Sequence, residues 1–104
     1  MNYTISFYVP KIHCETVKQA MFEAGAGTQG NYQKCSWQVL GQGQFNPIEG
    51  SQPFIGKKNT LEYVQEYKVE MYCEAKVLKA VITALTKQHP YEEPAFHILK
   101  NEDI

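Results

Sequence analysis

The stretch Gly25-Ala26-Gly27-Thr28-Gln29-Gly30-Asn31-Tyr32 reads GAGTQGNY and spells the G-x-G-x-x-G pattern of a dinucleotide phosphate loop. Such a loop leaves a strand and enters a helix, so that free backbone N–H groups and the positive helix end converge on the pyrophosphate. The order of the flanking elements therefore decides both fold and chemistry. Upstream, Tyr3, Ile5, Phe7 and Val9 alternate with Asn2, Thr4, Ser6 and Tyr8, the period of a half-buried strand ended by Pro10. Val17, Ala20, Met21 and Ala24 then form one apolar helical stripe, with Glu15, Lys18, Gln19 and Glu23 on the other face and Gly25 as the helix stop. Downstream, Cys35, Trp37 and Val39 alternate with Lys34, Ser36 and Gln38, which predicts a second strand. The glycines thus follow a helix and precede a strand. They face the negative, carbonyl end of that helix, which repels a pyrophosphate, and the stretch reads as a turn between packed layers.

Residues 41–59, GQGQFNPIEGSQPFIGKKN, form a long connection with embedded Phe45, Phe54 and Ile55. Strand pairing is expected to persist to about Phe45, with an ordered loop beyond it packed by its own apolar side chains. From Leu61 to Glu74, Tyr63, Gln65, Tyr67, Val69, Met71 and Cys73 share one face, which predicts a long strand. Val77, Leu78, Val81, Ala84 and Leu85 have helical spacing, and Pro90 disfavours helix at His89. Ala95, Phe96, Ile98 and Leu99 make a short last strand after Pro94. The order is β-α-β-β-α-β. Right-handed crossovers place both helices on one face of one antiparallel sheet, giving an α+β, ferredoxin-like sandwich, expected to be a single domain over residues 1–104.

Composition narrows the function. Hydrophobic residues make up 43% of the 104 residues, enough for a folded core. Ten Lys plus Arg against 11 Asp plus Glu leave a formal charge of -1 with no basic run, which argues against a nucleic-acid partner. No continuous apolar stretch suits a signal peptide or a membrane span, and Cys14, Cys35 and Cys73 are odd in number and widely spaced. A cytoplasmic protein with reduced thiols and no membrane partner is expected.

The densest group of polar, reactive side chains is His89-Pro90-Tyr91-Glu92-Glu93-Pro94, with His97 close behind. Imidazoles and carboxylates are ordinary ligands for zinc, copper or iron. Between two prolines, however, Glu92 and Glu93 point in different directions. The competing reading is a rigid connector in which His89 caps carbonyls at the end of the second helix and Tyr91 packs on the sheet. His13-Cys14 is a second soft-metal pair, and a thiol at a helix N-terminus has a lowered pKa, but no further ligand or base is fixed nearby. Cys35 beside Trp37 reads as a small packing residue. Nothing in these patterns assembles a nucleophile, a base and an oxyanion site, so no catalytic residue is assigned.

Three segments carry a family resemblance: AGAGTQGNYQKCSWQVLGQGQFNPIEGSQPFIG at 24–56, LEYVQEYKVEMYC at 61–73 and HPYEEPAF at 89–96. They resemble the inserted domain of the Nif-three-like (NGG-one-interacting-factor-three) family, here standing free. His89-Pro90-Tyr91-Glu92 is also similar to the CutA proteins, trimeric ferredoxin-like domains related in architecture to the PII signalling proteins. In the Nif-three-like family a dinuclear metal centre is built from residues of two flanking halves, outside this stretch, so no metal ligand and no cofactor is carried over. The inserted domain there is associated with oligomer assembly and with covering the mouth of the metal site.

The resemblance and the open sheet edges together imply a non-catalytic, self-associating assembly or regulatory module, a homo-oligomer, with a trimer favoured over a dimer. The other reading is a sensor for a small molecule or metal ion. Its ligand would sit where the Gly27–Tyr32 turn, the Phe45–Gly56 loop and the His89–Glu93 connector meet, held by Gly27, Gly30, Asn31, Tyr32, Phe45, Gly56, His89, Tyr91, Glu92 and Glu93.

Overall fold

The protein is described by a computed structural model over residues 1–102. The chain runs β1 (Asn2–Pro10), a 3-10 turn (Lys11–His13), α1 (Cys14–Glu23), β2 (Trp37–Phe45), β3 (Glu62–Glu74), α2 (Ala75–Gln88) and β4 (Phe96–Lys100). The strands form one antiparallel sheet in the order β2-β3-β1-β4. Each βαβ half is therefore split by a strand of the other, as the sequence pattern implies for a ferredoxin-like α+β fold.

The alternation in the strands sets the layers. Ile5, Phe7 and Val9 of β1 lie beside Val69, Met71 and Cys73 of β3, all buried on one face. Cys14, Val17 and Met21 of α1 and Val81 and Leu85 of α2 close over them, so both helices share that face. Burying each of the larger apolar side chains contributes about 1.5–3 kcal/mol. The opposite face carries no helix. On it Ser6 Oγ donates to Glu70 Oε2 at 3.0 Å across the β1–β3 pair.

The β3 strand is longer than its central neighbour. Pro10, the last residue of β1, pairs with Glu66, while β2 follows β3 back to Glu62. Residues 42–45 and 62–65 thus form a two-stranded ribbon that overhangs the rest of the sheet. Leu40, Tyr63 and Leu61 on or beside it remain 42%, 55% and 47% exposed.

The glycine stretch is a sealed helix end. Gly25 N–H donates to Phe22 O at 3.0 Å and Ala26 N–H to Met21 O at 3.1 Å, the paired bonds of a Schellman stop, and Ala26 is buried against the core. Gly27 N–H donates to Tyr72 O of β3 at 2.8 Å, and Cys35 N–H returns to Gly27 O at 2.8 Å. Gln29 and Tyr32 exchange two 2.9 Å bonds around Gly30-Asn31, a miniature hairpin. The Gly25, Ala26, Gly27 and Gln29 amides are thereby taken up by protein carbonyls.

Several boundaries differ from the sequence pattern. The second strand begins at Trp37 rather than Cys35, because Lys34 sits at φ 57 and Cys35 closes onto Gly27 instead of pairing with β3. The last strand begins at Phe96 rather than Ala95. The long loop is only partly self-packed: Ile55 is half-buried, but Ile48 and Phe54 are 66% and 54% exposed.

Gly27 and Gly30 offer a paired test. Gly27 has φ +80, and a Cβ there would meet Cys35 O and the Phe22 ring at 2.9 Å; Gly30, at φ +54, has open space around it. Gly27→Ala is expected to cost about 2–5 kcal/mol, backbone strain plus overlap, against about 1–2 kcal/mol for Gly30→Ala. Urea unfolding of the two variants measures the difference.

Candidate functional site

Where β1 ends and the ribbon begins, strands, loop and connector line an open cavity of about 400 Å³. Tyr8 and Glu66 come from the sheet face without helices, Gly43 to Pro47 from the end of β2, Pro53 to Ile55 from the long loop, and Tyr91 to Glu93 from the connector after α2. Two contacts hold the walls together. Gln52 N–H donates to both oxygens of Glu92, at 3.2 and 3.1 Å, which ties loop to connector. The Tyr91 hydroxyl donates to Glu66 Oε2 at 2.9 Å, which ties connector to sheet. Burial, and then the Glu66 carboxylate at its hydroxyl, push the Tyr91 phenol above the ordinary tyrosine range, so it stays a donor.

Glycine makes this possible. Glu66 lies diagonally across the β2–β3 pair from Gly43, and a Cβ at Gly43 would stand on Glu66 Oε1. A glycine inside a strand here marks a close approach. Phe45 and Tyr91 pack with ring centroids 6.1 Å apart, and Phe54 meets the His13 ring edge-on at 5.4 Å.

His89 stands behind this wall as a brace. It is 5% exposed; its Nε2–H donates to Tyr8 O at 2.7 Å and its Nδ1 accepts the Tyr91 N–H at 3.1 Å. The donor at Tyr91 fixes the neutral tautomer. The expected capping of α2 carbonyls by this ring does not occur, because the ring turns across to β1. With both nitrogens occupied, His89 is no metal ligand in this arrangement.

Of the ten residues assigned from sequence, Phe45, Tyr91, Glu92 and Glu93 line the cavity. Gly56 lies just outside it, against Glu62 and the Phe45 ring, and His89 lies behind it. Gly27, Gly30, Asn31 and Tyr32 do not belong. Their turn is bonded to Tyr72, six residues along β3 from Glu66, roughly 20 Å away at strand spacing. Tyr32 is 75% exposed there. Tyr8, Gly43, Phe54 and Glu66 were missing from the sequence assignment; Gly43 within a strand pattern was the available signal.

The two buried thiols, Cys14 and Cys73, are not activated. Cys14 is buried, its Sγ 3.6 Å from Gln38 Oε1, and burial raises its pKa despite nearby Lys18; burial raises that of Cys73 as well. The lowered pKa expected at a helix start is overturned by desolvation. His13 Nε2 is buried without a hydrogen-bond partner. Among the described residues, no three His, Cys, Asp or Glu side chains come together as a metal site, and no helix is long and apolar enough to cross a membrane.

Burial holds the His89 pKa below the ordinary histidine value; the bond to Tyr8 O opposes this and neighbouring His13 adds to it. A depressed folded-state pKa contributes stability that is present above the unfolded value near 6.5 and is lost as pH falls toward the folded one. Unfolding free energy is therefore expected to fall below about pH 6.5, with a His89 contribution of at most about 1.4 kcal/mol per pH unit. In His89→Gln that part of the slope should vanish, as urea titrations between neutral and mildly acidic pH would measure.

No family model matches the chain. It is 48% identical over 91 residues to a GTP cyclohydrolase 1 type 2 homolog of Mycobacterium leprae, covering 88% of this chain and 24% of that protein. It is 43% identical over 102 residues to the homolog of Halalkalibacterium halodurans, covering 96% and 27%. The chain spans about a quarter of the length of these curated relatives. Among solved structures, a Bacillus cereus protein related to NIF3 superposes with a TM-score of 0.83 at 34% identity, over 98% of this chain and 26% of that one. CutA from Archaeoglobus fulgidus, a divalent cation tolerance protein, matches with a TM-score of 0.70 at 14% identity, over 99% and 86%, a likeness of fold alone. In sequence and in fold, this chain corresponds to the CutA-like segment of the Nif-three-like family.

Proposed function

We propose that the chain acts in the cytoplasm as a non-catalytic, self-associating module, an assembly or regulatory unit of the Nif-three-like type, with a trimer favoured over a dimer. The overhanging ribbon is the observation that carries this. Two strands alone are marginal in water and need a third strand or a packed layer. Residues 42–45 and 62–65 have no third strand and no helix over them, the long loop and the connector pack only beside Gly43, Phe45, Glu62 and Glu66, and Tyr63, with Leu40 and Leu61 just beyond the ribbon, stays exposed. A second copy would supply the missing layer, and the resemblance of the His89–Glu92 segment to the CutA proteins favours closure as a trimer. The absence of activated thiols at Cys14 and Cys73 supports a role without catalysis, and a net charge of -1 gives nucleic acid no hold.

The cavity favours a second reading, a small-molecule sensor. It joins a few polar groups to aromatic walls, the usual make-up of a ligand site.

Light scattering at micromolar concentration is expected to give an oligomer mass, a trimer first; a stable monomer would overturn the proposal. Leu40→Asp combined with Tyr63→Asp, both at exposed positions, should shift the mass to a monomer while the circular dichroism spectrum stays that of a folded chain.

A further inference from the structure

We infer that the cavity between Tyr8, Phe45, Phe54 and Tyr91 is a site for an organic ammonium ion, a cation with an apolar body; this deepens the small-molecule reading above and rests on it. Charge is the first ground. The chain carries 11 acidic and ten basic residues, yet the lining includes Glu66, Glu92 and Glu93 and no lysine, arginine or histidine. Like charges gathered in a recess repel one another and focus an attractive field on cations.

The carboxylates have room to accept. Glu66 engages Tyr91 through Oε2, which leaves Oε1, the atom lying over Gly43, without a hydrogen bond among the described residues. Glu93 has neither a hydrogen bond nor an ion pair there. An ionised carboxylate offers about four acceptor positions, so even Glu92, bonded to Gln52 N–H, is not saturated.

The walls select the kind of cation. Four aromatic rings bound the space, and ring faces attract an ammonium group while shedding water from its carbon substituents. A bare metal ion would need three or more converging ligands, which do not come together among the described residues. An anion meets the wrong field, and a neutral ligand leaves the carboxylates uncompensated. The volume of about 400 Å³ lies toward the small end of the range for small-molecule sites.

The test uses choline, its neutral carbon isostere dimethylbutanol, and the full chain in its native assembly, followed by calorimetry and by NMR shifts of the Tyr and Phe rings. Choline is expected to bind saturably and the isostere more weakly by on the order of tenfold or more, the scale of one charge-assisted contact. Glu66→Gln with Glu93→Gln should weaken choline binding to a similar degree. Glu93→Gln alone changes only an exposed side chain and serves if the double variant fails to fold, with a smaller loss of the same sign. Equal affinity for choline and isostere, or choline binding untouched in a folded variant, overturns the inference. Binding of the isostere without choline overturns the cation class and leaves the sensor reading intact; binding of neither overturns both.

Discussion

The register of β3 against its two neighbours governs the structure. Its residues 66–74 are gripped on one side by β1, and its residues 62–70 on the other by β2. The staggered grip divides the sheet into a part thick enough to hold a core and a part that is not. Both helices pack over the stretch paired with β1, where Val69, Met71 and Cys73 face them. What protrudes has to find its stability elsewhere, and the cavity and the proposed contact surface both belong to it.

A chain of polar contacts ties that protruding part back to the core. Starting from Tyr8 O in β1, it runs through the His89 ring to the Tyr91 backbone, and from the Tyr91 hydroxyl to Glu66 in β3. Two of the links depend on a protonation state held by burial: the Tyr91 N–H bond needs a neutral imidazole at His89, and the Glu66 bond a neutral phenol at Tyr91. The connector is therefore positioned by desolvation as much as by its two prolines. Gly43 completes the arrangement by leaving the space that the Glu66 carboxylate fills.

Much of this was legible in the sequence, because alternation in Tyr3–Val9 and Leu61–Glu74 and helical spacing in Val77–Leu85 are local consequences of which face is buried. The helix-before-glycine order was equally readable, and it removed the phosphate-loop interpretation. Alternation misled at Cys35, where the period was present but no partner strand was; a bond to Gly27 decided its conformation. Grouping Gly27–Tyr32 with the other loops overlooked what the order of elements implies. The strands β1 and β2 run the same way, so the connection entering β2 lies at the opposite end of the sheet from the one leaving it. The Glu66–Gly43 and Glu66–Tyr91 contacts were not readable, since they depend on a diagonal cross-strand register and on a side chain 25 positions away.

The outer strand β2 has one more consequence. Its nine residues, WQVLGQGQF, include no charge and no proline, the two devices by which natural sheets keep a free margin from recruiting foreign strands. Such a margin is a template for indiscriminate cross-β growth whenever it is left bare. Correct partnering would then serve proteostasis as well as architecture: chains produced in excess of their partners, or diluted away from them, would be the population that seeds insoluble deposits.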